Sequence, residues 1–357
     1  MDGFANPLKA IAFFVLVFLF VLALPVLLML PVWMLAGLVA IALLLAVPVF
    51  FLWRWRARRS PWGEWPSYAR LSLLAVLLTG TMLGFPVYYL AFQVDARPMV
   101  VPAVTLSNGD KTIVFQGMMH VGAESFYKSV VYDLEDALSQ GYRLYYEGVQ
   151  SGTKESDKWF SDNLAGGGDL SGNYRTMATA CGMKFQTDYF SPLARDFSVH
   201  PERHVMADVT TLQMQQEYER LMKTDPGFDR EVKEKARKDK EQAVQMNEFL
   251  TGVVEWQKKS TKDQQYLAGV ICRGFFNVLL SATPQPGVLD PVVLDLRNRE
   301  LVKRLLADDS KKIYVTYGSH HLEGVLPMLK QKDARWQVKS VKWIRAMAAP
   351  EHFERAL

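Results

Sequence analysis

The chain has 357 residues, 50% of them hydrophobic, and a formal net charge of +4. This length leaves room for more than one domain. The excess of positive charge owes much to a cluster of arginines beside the apolar N-terminal segments, within positions 54–70. A cluster at that place is typical of a membrane-proximal loop, so the net charge does not indicate a nucleic-acid partner.

Two long uncharged segments predict a membrane anchor. No charged residue occurs from Ala10 to Trp53, and as one helix this segment would be roughly 66 Å long, about twice the thickness of the hydrocarbon core. We therefore expect two spans that turn near Pro25–Pro31, and a third span over Leu71–Val94. A cleaved signal peptide is the alternative for the first segment, but a polar mature sequence does not follow it.

The charged residues beside the spans predict the orientation. Between the second and third spans lie five arginines and one glutamate: Arg54, Arg56, Arg58, Arg59, Arg70 and Glu64. The positive-inside rule places this loop in the cytoplasm. We therefore predict a membrane anchor over residues 1–94 and an extracytoplasmic domain over 95–357, attached to the cytoplasmic (inner) membrane of a bacterium, so that the lipid bilayer is one partner.

The sequence contains two cysteines, Cys181 and Cys272, both in the part predicted to be exported. In an oxidising compartment they could form a disulfide. Two separate buried thiols are the alternative, and the sequence does not choose between them.

The exported part begins with a strand–helix–strand pattern. The segment "KTIVFQG" (111–117) is rich in β-formers, and the apolar residues that follow have the spacing of one helix face: Phe126, Val130, Val131, Leu134 and Leu138. Gly141 is expected to end this helix as a C′ glycine, and "YRLYYEGV" (142–149) forms a second strand. The pattern has the size of a βαβ unit, so we predict that the two strands are parallel neighbours.

A similar pattern returns near the C-terminus. A helix with Pro291 in its first turns precedes the strand "KKIYVTYG", the helix "HHLEGVLPMLKQ" and the strand "WQVKSVKWI". A glycine-rich loop "NLAGGGDLSGN" and a charged helical segment over 229–249 lie between the two patterns. We expect an α/β fold, a duplicated βαβ-containing domain with a helical insertion, preceded by three transmembrane helices.

The motif Gly-x-x-His follows a predicted strand twice, at Gly117–His120 and at Gly318–His321. A glycine at this place permits a positive φ and a sharp exit from the strand, and functional groups gather beyond the carboxyl ends of parallel strands. Glu147 follows a third strand. Two imidazoles and a carboxylate are a ligand set for a divalent metal with open positions, and such a metal lowers the pKa of bound water and polarises a carbonyl.

Each of these residues also has a structural explanation. A histidine after a glycine turn can lie at a helix N-terminus or in the core, and a glutamate at a strand end can be an ion-pair partner. His320 stands beside His321, and either could be the ligand, although the spacing favours His321.

Three further residues are candidates near the motifs. Glu124, four residues after His120, could be a ligand, a general base or a residue of the first helical turn. Ser125 could donate a hydrogen bond within the site. Asp208, in "HPERHVMAD", could begin another loop at a strand end.

The segments "GMMHVGAES", "LYYEGV", "LRNRELVKRLL" and "IYVTYGSHHLEGVLPML" resemble the TraB/PrgY/GumN family. This family includes the TIKI proteins and is distantly related to erythromycin esterase and the haem-binding ChaN proteins. The resemblance covers about residues 111–150 and 292–330. It implies an α/β fold of two duplicated halves and, by way of the TIKI members, a metal-dependent protease that acts outside the cell and favours manganese or cobalt.

The resemblance also implies roles for single residues. His120 and His321 match the two motif histidines, and Glu147 matches the glutamate after the βαβ unit. Arg297 matches an arginine before the second motif, where a guanidinium could hold a substrate carboxylate or a developing oxyanion; a surface helix arginine paired with an acid is the alternative. The chain departs from the family in having "YEG" where an acidic pair, or a glutamate in an aliphatic strand, is common.

The sequence therefore predicts a hydrolase that depends on a divalent metal (Mn, Co or Zn) and cleaves peptide bonds of an extracytoplasmic polypeptide. The alternative is a non-catalytic protein that binds or sequesters a peptide or haem, because the same histidines could ligate haem iron. The motifs Gly-x-x-x-x-Gly-Lys, Gly-x-Ser-x-Gly and His-Glu-x-x-His do not occur in the sequence, so familiar nucleotide, serine-hydrolase and zincin chemistries lack support. The oligomeric state is not indicated.

Overall fold

The computed structural model describes residues 7–56, 65–164, 170–190, 193–280 and 287–348. Three helices come first: α1 (Pro7–Leu28), α2 (Val32–Arg56) and α3 (Trp65–Ala96). Each contains a segment long and apolar enough to cross a membrane. The predicted turn near Pro25–Pro31 falls at residues 29–31. The middle of the arginine loop, with Arg58 and Arg59, lies outside the described residues.

Helices α1 and α3 pack closely through small residues. Gly84 of α3 lies against Ala23 of α1, and Gly80 lies against Phe20. The hydroxyl of Tyr88 donates to the carbonyl oxygen of Leu22 at 2.8 Å. Small residues let the backbones of membrane helices approach each other, so the first and third helices form one pair.

A mixed sheet follows the three helices. Its six strands lie in the order β6-β4-β7-β2-β1-β8, with bounds β1 (Val100–Ser107), β2 (Thr112–Met118), β4 (Arg143–Tyr146), β6 (His204–Met206), β7 (Lys312–Gly318) and β8 (Gln337–Arg345). The four strands from β6 to β2 are parallel, and β1 is antiparallel to both β2 and β8. Two short strands, β3 (Val121–Gly122) and β5 (Lys184–Phe185), pair separately.

The prediction that β2 and β4 are neighbours in the sheet is wrong. β2 and β4 are parallel as predicted, but β7 lies between them and pairs with both. In β7, five consecutive residues are buried and the last, Gly318, is half-buried. This burial fits a strand in the middle of a sheet that is covered on both faces. The two strands that precede the Gly-x-x-His motifs are therefore direct neighbours, with Gly117 opposite Tyr317 and Met118 opposite Gly318.

Helices cover both faces of the sheet. Helix α4 (Glu124–Ser139) packs on one face through Phe126, Val130 and Leu134. Helices α11 (Leu296–Ala307) and α12 (His321–Lys332) pack on the other face, where Leu301, Leu305 and Leu329 are buried. The apolar residues of these helices recur every three or four positions, so each helix buries one face.

The rest of the chain is mainly helical and forms the insertion. Its helices are α5 (Lys154–Asn163), α6 (Leu170–Ala180), α7 (Ala194–Val199), α8 (Thr211–Thr224), α9 (Pro226–Lys258) and α10 (Lys262–Leu280). Short 3₁₀ segments span Gln186–Tyr189 and Pro201–Arg203, and a π-helical turn, Pro291–Asp295, leads into α11. The charged segment 229–249 lies within α9, and the centre of the glycine-rich loop, 165–169, is outside the described residues.

Cys181 and Cys272 form a disulfide, which settles the choice that the sequence left open. The bond joins the turn after α6 to α10. It therefore ties two parts of the insertion that are 91 residues apart in the sequence.

The glycines of the two motifs do not adopt the positive φ that the sequence suggested. Among the described residues, positive φ occurs at Gly109, Gly141 and Gly182, and Gly141 follows the end of α4 as predicted. Gly117 is instead required by close packing, because a Cβ there would lie 3.0 Å from the carbonyl oxygen of Pro102 and 3.1 Å from Cβ of Ser319.

Gly117→Ala is expected to lower stability by roughly 1–3 kcal/mol, because the added methyl group has to displace the backbone of β1 or the turn after β7. Gly252→Ala on α9 is the matched control, since a Cβ there meets nothing within 4 Å; it should raise stability by about 0.5–1 kcal/mol. Thermal unfolding of the purified full-length protein measures both. Equal unfolding midpoints for the two variants would contradict this account of Gly117.

Candidate functional site

Four neighbouring parallel strands end at the same edge of the sheet, and each is followed by a candidate residue. His120 follows β2, Glu147 follows β4, Asp208 follows β6, and His321 follows β7. The backbone keeps the strand ends level, because Glu147 N–H donates to Thr316 C=O at 3.0 Å and Ala207 N–H donates to Tyr146 C=O at 3.1 Å. The structure therefore places all four residues beyond the carboxyl edge, where α/β sheets bind ligands.

Arg297, near the start of α11, joins two of these carboxylates. Its Nε and Nη2 donate to the two oxygens of Asp208 at 2.9 and 2.6 Å. The same Nη2 donates to Oε1 of Glu147 at 2.6 Å. The guanidinium side chain is 7% exposed, so it forms a buried ionic cluster with Asp208 and Glu147.

Backbone N–H groups complete the coordination of the carboxylates. Gly318 donates to Oε2 of Glu147 at 2.6 Å, and Gly148 and Val209 donate to Asp208 at 3.0 and 2.8 Å. Burial alone would raise the pKa of Glu147 and of Asp208, but the charge and hydrogen bonds of Arg297 outweigh burial, so both pKa values lie below the ordinary range. Both carboxylates are therefore ionised at neutral pH.

His321, the first residue of α12, is buried beside this cluster. Its Nδ1 lies 2.7 Å from Oδ1 of Asn298, and its Nε2 lies 3.9 Å from Oε1 of Glu147. Burial, with the nearby charge of Arg297, lowers the pKa of His321 to about 4. The imidazole is therefore neutral at physiological pH.

His120 has different partners, all from the insertion. Its Nδ1 lies 3.0 Å from Nε2 of Gln186, and its backbone carbonyl accepts from the N–H of the same residue at 3.0 Å. Its ring stacks on Tyr174 of α6 with centroids 4.3 Å apart. Burial lowers the pKa of His120, and the charge of Glu147 only partly opposes this shift. His120 is therefore neutral as well.

With the Asn298 and Gln186 amides oriented as in the structure, the two histidines present opposite tautomers toward the site. The amide oxygen of Asn298 can only accept a hydrogen bond, so Nδ1 of His321 carries the proton and Nε2 offers a lone pair beside Glu147. The amide nitrogen of Gln186 can only donate, so Nδ1 of His120 accepts and Nε2 carries the proton. His321 is thus suited to bind a metal or take up a proton, whereas His120 presents an N–H donor.

The donor set fits a divalent metal in part. In metal-binding histidines, one ring nitrogen is fixed by a hydrogen bond and the other binds the metal; in His321 Nδ1 is held by Asn298 and Nε2 stands beside Glu147. Within the described parts of the chain, however, no group of three or more His, Cys, Asp or Glu side chains stands close enough to hold a metal ion. His321 and Glu147 form a pair of donors, without a third such side chain close enough among the residues that the structure describes.

The other sequence candidates lie in different settings. Glu124 forms ion pairs with Lys128 at 2.9 Å and Lys184 at 3.7 Å, in the first turn of α4. Ser125 is exposed.

His320 is exposed at the N-terminus of α12. It lines a separate cavity together with Glu323, Asp225 and Asn298. His321, by contrast, is the histidine of this motif that contacts the ionic cluster.

Sequence reasoning missed three residues that position the histidines. Asn298 stands next to Arg297 in "LRNRE", so the same motif contained the signal, and Gly324 of "HHLEG" provides the space for its side chain. Gln186 and Tyr174 belong to the insertion, where the local sequence carries no comparable pattern. Only folding brings them to His120.

An apolar cavity of about 350 Å³ opens beside the cluster. Glu147 and Gln186 form part of its wall, and most of the rest is apolar: Met118, Leu134, Leu144, Phe190, Leu193, Ala194 and Phe197. The cavity lies between the sheet, α4 and α7. It has the chemistry to hold an apolar group next to the Glu147 carboxylate.

Comparison of the chain with protein-family models, curated proteins and solved structures found no match. The chemistry of the site is therefore inferred from its own residues alone.

Removing Arg297 is expected to destabilise the protein strongly. Arg297→Met leaves Glu147 and Asp208 buried without their cation, at a cost of roughly 3–5 kcal/mol. Arg299→Met is the matched control on the same helix, because Arg299 is half-exposed and pairs with Glu217 at the surface; it should change stability by less than about 1 kcal/mol. Thermal unfolding of both variants tests this, and a similar midpoint for the two would contradict the ionic cluster.

The neutral state of His321 predicts a pH dependence. Its pKa of about 4 in the folded protein lies below the ordinary 6.5, so the unfolded chain takes up a proton first as the pH falls. Above about pH 6.5 the titration of His321 does not reduce the free energy of unfolding. As the pH falls from there toward 4, it lowers the free energy of unfolding by up to about 3 kcal/mol. His321→Gln, which cannot titrate, should lose less thermal stability than the wild type between pH 7 and pH 5. An equal loss in both proteins would mean that His321 titrates normally.

Proposed function

We propose that this protein is a membrane-anchored hydrolase of the TraB/PrgY/GumN type, which cleaves peptide bonds of an extracytoplasmic polypeptide with the help of a divalent metal (Mn, Co or Zn). The observation that carries the proposal is the pair formed by His321 and Glu147. A neutral, buried imidazole nitrogen and an ionised carboxylate oxygen stand 3.9 Å apart, and they are two of the three protein ligands that a catalytic metal site commonly uses.

The residues divide into three roles under this proposal. His321 and Glu147 would hold the metal, which when bound supplies an activated water and polarises the scissile carbonyl. Arg297 keeps Glu147 ionised and oriented, since it binds this carboxylate and Asp208 together. Asn298 holds the tautomer of His321.

His120 was predicted as a third ligand, and its tautomer supports another role. An N–H donor at Nε2 suits a hydrogen bond to the carbonyl oxygen of the substrate, where negative charge develops. Ligation of a metal by His120 would require the opposite tautomer, with the oxygen of the Gln186 amide turned toward Nδ1.

The cavity supports a substrate with an apolar side chain near the scissile bond. Its wall combines apolar side chains with Glu147 and Gln186, two residues that also contact or flank the histidines. A side chain seated there would place the adjoining backbone beside the carboxylate.

The disulfide supports an extracytoplasmic location for residues 95–357. Disulfides persist in oxidising compartments and are rare in the cytosol. Together with three apolar helices and the arginine loop, the bond between Cys181 and Cys272 is consistent with a domain exported from the bacterial cytoplasmic membrane.

Binding without catalysis is the second candidate, and the cavity is the observation that favours it. A mainly apolar pocket with His204 in its wall could hold a peptide side chain or part of a haem. His204, however, binds Asp196 at 2.7 Å, whereas an axial haem ligand needs a nitrogen directed at the iron.

Elemental analysis, an optical scan for haem and hydrolysis of a labelled casein test the proposal on the full-length protein. We expect one divalent ion per chain in the wild type. His321→Ala should lose the ion and the activity, because it removes the ligand with the free lone pair. His120→Ala should keep the ion and lose most of the activity.

His320→Ala is the matched control, since it removes the neighbouring histidine of the motif, which is exposed and stands outside the Arg297 cluster and the cavity; it should keep both ion and activity. Loss of the ion from His120→Ala as well would restore the three-ligand site that the sequence predicted. A folded wild type that binds neither metal nor haem after incubation with each would contradict both the metal-dependent hydrolase and the haem-binding protein, and would leave peptide binding as the function to test.

A further inference from the structure

Helix α10 carries an apolar stripe that the protein leaves exposed. Ile271, Phe275, Val278 and Leu279 are 38%, 47%, 42% and 52% exposed. They occur at positions i, i+4, i+7 and i+8, which fall on one face of a helix. A contiguous apolar face of this kind marks an interaction surface.

The opposite face of α10 is fixed to the rest of the protein. Arg273 donates to the carbonyl oxygens of Cys181, Gly182 and Ala348. Cys272, beside the stripe, is held by the disulfide, and Phe276 is buried in the core of the insertion. The helix therefore cannot roll to bury its stripe.

A third face of α10 packs on the last turns of α3. A Cβ at Gly274 would collide with the backbone and Cβ of Leu90, so the glycine allows the two helices to approach closely. Asn277 donates through Nδ2 to the carbonyl oxygens of Gln93 at 3.3 Å and Arg97 at 3.0 Å, and it accepts from the N–H of Met99 at 2.9 Å. Asn277 thus satisfies backbone groups where the membrane helix ends, and α10 is rigidly attached there.

The contact with α10 lies in the last turns of the third apolar segment. That segment spans Tyr68–Ala96, and α10 contacts it at Leu90 and Gln93. At 1.5 Å per residue, both contacts are within about 9 Å of the end of the segment. The exposed Tyr89 and Phe92 of α3 lie on the same turns, so α10 meets α3 where this helix approaches the boundary between hydrocarbon and head groups.

We propose that α10 lies in the outer interface of the bilayer, with the stripe of Ile271, Phe275, Val278 and Leu279 immersed among the lipid acyl chains. The occupant of this surface is lipid because the stripe continues the lipid-facing surface of α3 at the height where that helix leaves the hydrocarbon. Amphipathic helices bury their apolar faces about 5–10 Å into this boundary. The domain is then held against the membrane by α10 as well as by the chain that leaves α3.

Spin labels test the position of α10 in the full-length protein. The sequence contains two cysteines, and both are in the disulfide, so one introduced cysteine is labelled alone. Phe275→Cys and Leu279→Cys probe the stripe, and Tyr132→Cys on α4, which is 72% exposed, is the matched control. The labelled proteins are placed in vesicles of phosphatidylethanolamine and phosphatidylglycerol.

Collision with oxygen and with a water-soluble nickel chelate is then measured by electron paramagnetic resonance. We expect the ratio of oxygen to nickel accessibility to be several-fold higher at positions 275 and 279 than at 132. Nickel accessibility equal to that at 132 would overturn the proposal, because the stripe would face water. Low accessibility to both reagents would also overturn it, because protein, such as a second copy, would cover the stripe.

Two positions on the stripe are labelled because a single cysteine variant could fail to fold. Val278→Cys provides a third position on the same stripe. Unchanged elution in gel filtration and an intact disulfide, checked as a single labelled thiol per chain, show that each variant keeps its fold.

Discussion

The buried guanidinium of Arg297 is the constraint on which the rest of the candidate site depends. It neutralises Asp208 and Glu147, two carboxylates from neighbouring strands that could not both be ionised at this depth without a cation. Because it comes from α11, it also fixes that helix on the sheet. Asn298 follows on the same helix and holds His321, so one short segment, which a π-helical turn precedes, sets the charge and the tautomer of the site together.

The site has a rigid side and a side supplied by the insertion. Glu147, Asp208 and His321 stand at the ends of parallel strands, where backbone hydrogen bonds fix their positions. His120 also follows a strand, but its ring is held by Gln186 and Tyr174. Helix α6, which carries Tyr174, ends beside the disulfide to α10, and α10 packs on α3. A chain of packed elements therefore connects the His120 side of the site with the membrane anchor.

Local patterns predicted the elements well and their neighbours less well. The strands at 111–117 and 311–318, the helix that carries Phe126 and Leu134, and the three apolar helices all lie where periodicity placed them, because each pattern depends on residues a few positions apart. The pairing of β7 between β2 and β4 is a long-range choice, and adjacency in sequence pointed to the wrong partner. The positive φ angles predicted for Gly117 and Gly318 were likewise wrong. Gly117 is required by close packing, and the N–H of Gly318 donates to the Glu147 carboxylate.

The sequence by itself determined that three apolar helices precede an α/β domain, and that His120, Glu147 and His321 each follow a strand; Asp208 was only a candidate for such a position. Hydrophobic length, period and the glycines at strand ends are local properties, so they can be read without a fold. Only the tertiary structure decided that Arg297 lies between two carboxylates, that Cys181 and Cys272 join, and that the two histidine rings meet the amides of Asn298 and Gln186. These features depend on which side chains meet across the fold: Asp208 and Arg297 are 89 residues apart, and His120 and Gln186 are 66 apart. Burial and hydrogen-bond partners, which set charge and proton position, exist only once such distant residues are in contact.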